Sequence, residues 1–130
     1  MSNHSRALVW VDHHMAKIFQ IREGEVHPVV LHSTHPQEHL HHKANAGGSG
    51  HAPLDRAFLE RIAAAIAGAG AVLIVGPGLA KTELSTFINE TAPELAKRIS
   101  GVEPIDHPTD GELVASGRSF FRADDRMRAQ

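Results

Sequence analysis

Two runs of five consecutive apolar residues, Ala7–Val11 (Ala-Leu-Val-Trp-Val) and Ala71–Val75 (Ala-Val-Leu-Ile-Val), constrain this chain more than any other feature of its sequence. Successive side chains of a β-strand point to opposite faces, so a strand with one wet face alternates apolar with polar. An unbroken apolar run demands burial on both faces. Each run is too short for a helix and ends in a turn signal, Asp12-His13-His14 after the first and Gly76-Pro77-Gly78 after the second. Two such strands need a sheet covered on both sides by helices. The 130 residues suffice for one such domain, and at this size about two-thirds of the unfolded surface is buried without disulfides or metal staples.

The rest of the chain supplies the partners. Met15–Arg22, with Ile18, Phe19 and Ile21, reads as a second strand. Glu23-Gly24 is a tight-turn signal that joins neighbouring strands as a hairpin. Val26–Leu31 reads as a third strand, and Pro28, which has no N–H to donate, places it at an edge or at a strand end. Leu54, Phe58, Ile62 and Ile66 recur every four residues and predict an amphipathic helix ended by Gly68 and Gly70. A second helix follows the Gly-Pro-Gly turn with Leu84, Phe87 and Ile88 on its apolar face. Pro93 breaks it and starts a short helix that is expected to carry Leu95 and Ile99. Val102–Ile105 reads as a strand held near an edge by Pro104. Thr109-Asp110-Gly111-Glu112 matches a capping box, a hydroxyl and a carboxylate three residues apart. The final helix offers Leu113, Val114, Phe120 and Phe121 to the core, and the polar tail Arg122–Gln130 is expected to fray. The order is βββαβαβα over residues 1–130. It predicts a single α/β domain whose mixed sheet carries helices on both faces, a ribonuclease H-like arrangement.

Residues 32–53 have no apolar period and contain Gly47-Gly48-Ser49-Gly50, so they are expected to form a long, mobile loop. Loops of this length in a compact domain are usually functional. The chain has 11 histidines, and seven of them, His27, His32, His35, His39, His41, His42 and His51, fall in or beside this segment. His32/His35 and His39/His42 have spacings that a metal can use. The two readings are a histidine tract that picks up a divalent metal adventitiously and a solvated polar loop. The absence of cysteine excludes a disulfide framework, a thiolate zinc site and a cysteine nucleophile. A net charge of −2 argues against coating nucleic acid by bulk charge and leaves room only for a local contact. No apolar stretch approaches the roughly 18 residues of a membrane span, and the short apolar run after Arg6, with Asp12 behind it, is not expected to act as a signal peptide, which needs a longer apolar region and a small-residue cleavage site. The protein is expected in the cytoplasm.

Three other sets carry candidate chemistry. In Gly76-Pro77-Gly78-Leu79-Ala80-Lys81 a turn between a buried strand and a helix offers free amides and a lysine, with Gly76, Gly78 and Lys81 as phosphate contacts. Ala80 stands where a Walker motif needs glycine. The plainer reading is a steric corner. Arg118, Arg122 and Arg126 recur every four residues and could face phosphate, although Asp124 and Asp125 dilute the charge and a solvated helix face explains them equally. Asp12 and Asp106, with Asp110 and Glu112 near the latter, invite a two-metal nuclease reading, against which stand roles as turn and capping residues. No Gly-x-Ser-x-Gly elbow is present.

Several segments together resemble the middle domain of the archaeal and eukaryotic class I release factors and of Pelota, the ribosome-rescue factor. They are more similar still to short bacterial relatives of the translational machinery or host attachment type. Leu8-Val9-Trp10-Val11-Asp12 followed by Ala16-Lys17-Ile18-Phe19 resembles the family's opening hairpin. Val72-Leu73-Ile74-Val75-Gly76-Pro77-Gly78-Leu79-Ala80-Lys81 resembles its strand-turn-helix segment. His107-Pro108-Thr109-Asp110-Gly111-Glu112-Leu113 resembles the start of the closing helix in the bacterial members. The resemblance implies a ribonuclease H-like fold without that enzyme's metal carboxylates. It also implies a functional tip in the loop before the first helix, where release factors carry Gly-Gly-Gln to place the water that cleaves peptidyl-tRNA. Here Gly47-Gly48-Ser49 stands in the corresponding loop, with serine in place of glutamine. The flanking release-factor domains are absent from these 130 residues.

The expectation is therefore a non-catalytic, translation-associated module that contacts the ribosome, tRNA or rRNA and needs no cofactor. Its contact residues would be Lys43, Gly47, Gly48, Ser49, Gly76, Gly78, Lys81, Arg118 and Arg122. Two alternatives stay open: a metal-dependent nuclease or hydrolase, and a histidine-rich metal-binding protein using His32, His35, His39 and His42. Self-association is left open.

Overall fold

The two apolar runs lie side by side at the centre of the sheet. In the computed structural model, which describes residues 5–33 and 54–128, they form β1 (Arg6–Val11) and β4 (Ala71–Gly76). The remaining strands are β2 (Met15–Ile21), β3 (Val29–His32) and β5 (Ile99–Pro104), and the sheet order is β3-β2-β1-β4-β5. β1 pairs antiparallel with β2 and parallel with β4, in a register that sets Val9 beside both Ile18 and Ile74. β3 is antiparallel to β2, and β5 is parallel to β4. The sheet is thus mixed. The described helices are α1 (Arg56–Ile66), α2 (Ala80–Thr91), the single-turn α3 (Pro93–Ala96) and α4 (Asp110–Arg128).

Strand alternation sorts the core into two layers. Ala7, Val9 and Val11 of β1 face one side, where they pack with Phe58, Ile62 and Ile66 of α1 and Leu84 and Ile88 of α2. Leu8 and Trp10 face the other, with Leu73 and Val75 of β4 and Leu113, Val114 and Phe121 of α4. All five residues from Ala7 to Val11 are buried, as the unbroken apolar run requires. Each fully buried large side chain contributes about 1.5–3 kcal/mol. The expected single α/β domain with a mixed sheet and helices on both faces is what the chain forms, and it is consistent with a ribonuclease H-like fold. α4 lies close on the sheet because Gly117 has no side chain: a Cβ there would sit 3.0 Å from Ile21 Cδ1.

Two boundaries differ from expectation. β3 begins at Val29 and covers four residues, because Pro28 cannot donate to the ladder. Ile99 opens β5 instead of closing the short helix. The cause lies in Arg98: its carbonyl accepts the Val72 N–H at 2.9 Å, and its guanidinium donates to the carbonyls of Ala67 and Ala69, both at 2.7 Å. These contacts turn the chain into the sheet straight after α3. α4 continues through Arg128, so the spacing of Arg118, Arg122 and Arg126 falls on one continued helix. An ion pair of 2.8 Å between Arg6 and Asp125 ties that last part to β1.

The capping box closes as its spacing predicts. The Glu112 N–H donates to Thr109 Oγ1 at 3.1 Å, and the Thr109 N–H donates to Glu112 Oε1 at 2.8 Å. Thr109→Ala is expected to lower stability by about 1 kcal/mol, read as a shifted urea midpoint at unchanged slope.

Candidate functional site at the carboxyl edge of the sheet

β1, β3, β4 and β5 run in one direction, so Val11, His32, Gly76 and Pro104 all end on the same edge of the sheet. α1, α2 and α4 start from that edge. In open α/β sheets this is where ligands are met, because loops and helix N-termini converge there.

Segment 34–53 leaves the end of β3 and returns at α1, and both flanks are held. Ser33 Oγ donates to Asp55 Oδ2 at 3.1 Å, joining the two sides directly. The other oxygen of Asp55 accepts the Phe58 N–H at 2.8 Å and caps α1. The Arg61 guanidinium donates to the His32 carbonyl. The Ser33 N–H donates to the His14 carbonyl at 2.9 Å. On the return side, the Leu54 N–H donates to Glu83 Oε1 at 2.8 Å, while Glu83 Oε2 lies 3.3 Å from His13 Nε2. The His13 and Glu83 side chains are half-buried. Main-chain positions on both sides of the segment are therefore tied to β2, α1 and α2. Lys43, Gly47, Gly48, Ser49, His35, His39 and His42 lie outside the described residues. His32 is exposed at the end of β3.

The Gly-Pro-Gly corner has a strict steric cause. Gly76 has φ 149°, and a Cβ there would sit 2.1 Å from the Val11 carbonyl oxygen. Gly78 has φ 61°. The Lys81 amine folds back to donate to the Gly78 carbonyl. Leu79 stands at the N-cap of α2 and makes no capping hydrogen bond. The first amides of that helix therefore face the edge without a side-chain acceptor from their N-cap.

The four carboxylates of the nuclease reading are each committed locally. Asp12 Oδ1 accepts the N–H groups of His14 and Met15, both at 2.8 Å, and shapes the β1–β2 turn. Asp106 pairs with His107 Nδ1 at 2.8 Å, and its carbonyl accepts Trp10 Nε1 at 2.9 Å. Asp110 pairs with Lys17 at 2.8 Å, and Glu112 belongs to the capping box. Among the described residues, no group of three or more histidine, aspartate or glutamate side chains is placed to hold a metal ion.

The basic candidates separate. Gly76, Gly78 and Lys81 sit on the carboxyl edge. Arg118 lies about 12 Å further along α4, at 1.5 Å per residue from its start. Its guanidinium donates to the carbonyls of Arg22 and Gly24, at 2.7 and 2.6 Å, in the turn between β2 and β3 at the opposite edge. Arg122 follows one turn later and is exposed. Asp55, Glu83, His13, Ser33 and Arg61 were not singled out in the sequence. Only Asp55 carried a readable signal, an N-cap residue just before an apolar-periodic helix.

No protein-family model matches the sequence, and no curated protein matches it. Solved structures do match in fold. Pelota from Archaeoglobus fulgidus superposes with a TM-score of 0.59 at 15% identity, over 98% of this chain and 38% of that one. Pelota from Thermoplasma acidophilum gives 0.55 at 16% identity, over 85% and 30%. The archaeal translation termination factor aRF1 gives 0.50 at 16% identity, over 96% and 40%. The chain thus spans well under half the length of these structures, and at these identities the likeness is one of fold. Among the described residues, no helix is long and apolar enough to cross a membrane.

Proposed function

We propose that this chain is a translation-associated module that offers segment 34–53 to ribosomal RNA or tRNA and does no chemistry of its own. The observation that carries this reading is the fold shared with Pelota and aRF1 over nearly the whole chain. The segment falls between β3 and α1, the place where the release factors that the sequence resembles carry their Gly-Gly-Gln tip. The tied flanks support it, since a reaching element transmits orientation only from a rigid base.

Lys43, Gly47, Gly48 and Ser49 are the contact residues in the segment. Gly76, Gly78 and Lys81 add a phosphate contact on the same edge, through α2 amides and a lysine. Arg118 and Arg122 face another side and contribute little to this contact. Ser49 in place of glutamine argues against hydrolysis of peptidyl-tRNA. The site of action is the cytoplasm, with the ribosome. The histidines of the segment take divalent metal adventitiously, and no step depends on it.

Sedimentation of the purified chain with ribosomes tests the reading. Binding is expected at 50 mM salt. The log of the affinity should fall with the log of salt at a slope of about −1.5 to −2 for the two lysine–phosphate contacts. Lys81→Glu should weaken binding about tenfold with the fold intact. Absence of cosedimentation at low salt, or binding indifferent to salt, would contradict it.

A further inference from the structure

We draw no further inference here: the strongest candidate, the apolar groove of about 350 Å³ between α1 and α2 lined by Leu54, Leu59 and Phe87, carries nothing, because both Glu83 oxygens are taken by the Leu54 N–H and His13, Arg56 lies over the Phe87 ring, and nothing in the structure shows what covers it.

Discussion

Gly76→Ala is expected to destabilise the fold by about 3 kcal/mol or more, a large part of the roughly 5–15 kcal/mol available to a domain of this kind. Two independent costs meet at one atom. The φ of 149° lies in a region that only glycine occupies readily, a strain of about 1–3 kcal/mol for any other residue. The added Cβ would also sit 2.1 Å from the Val11 carbonyl oxygen. Relief requires moving the end of β1, a central strand whose residues Ala7, Val9 and Val11 are wholly buried. Urea unfolding should show the midpoint falling by more than about 1 M. Gly78→Ala is the internal comparison. Gly78 also has positive φ, 61°, but nothing lies within 4 Å of a Cβ there. Its cost should be about 1 kcal/mol. Equal effects at the two positions would show that the close approach to β1 does not matter.

Asp55→Ala should cost about 2 kcal/mol, because one carboxylate does two jobs. It caps α1 through the Phe58 amide and receives Ser33 Oγ from the other side of segment 34–53. Loss of the cap accounts for about 1 kcal/mol and loss of the cross-segment bond for about another. Asp55→Asn keeps an acceptor for Phe58 and should recover about half of the loss. Hydrogen exchange separates the two roles. The Phe58 and Leu59 amides should lose protection in the alanine variant, while amides of β4 should change only as far as global stability does. An alanine variant as stable as the parent would mean that Arg61, Glu83 and the His14 carbonyl hold the segment's flanks without Asp55.

The parts of this fold that could be read from sequence are those in which one residue has one neighbour-determined role. The unbroken apolar runs can be buried only in the middle of a two-sided layer, so β1 and β4 were legible as central strands. Pro28 and Pro104 lack a ladder donor and sit in or beside the edge strands β3 and β5. Thr109 and Glu112 find each other at a spacing set by helix geometry. What escaped was decided over long sequence distances. Ile99 joins a strand because Arg98 reaches back to Ala67 and Ala69, about 30 residues away. Glu83 looks like any solvated residue of α2 until the fold brings His13 and the Leu54 amide to its two oxygens. Arg118 has the spacing of a phosphate stripe, yet its guanidinium is spent on the carbonyls of Arg22 and Gly24. The candidate basic set therefore divides between two edges of the sheet, which no spacing rule could show.

The central claim is that segment 34–53 is the reaching element and the remainder its rigid base. Replacing residues 34–53 with a short glycine-serine linker, while keeping Ser33, Leu54 and Asp55, and sedimenting both forms with ribosomes at 50 mM salt tests it most directly. The Tm should stay within a few degrees, and most ribosome binding should be lost, by at least about tenfold. A shortened chain that folds and binds ribosomes as well as the parent would contradict it.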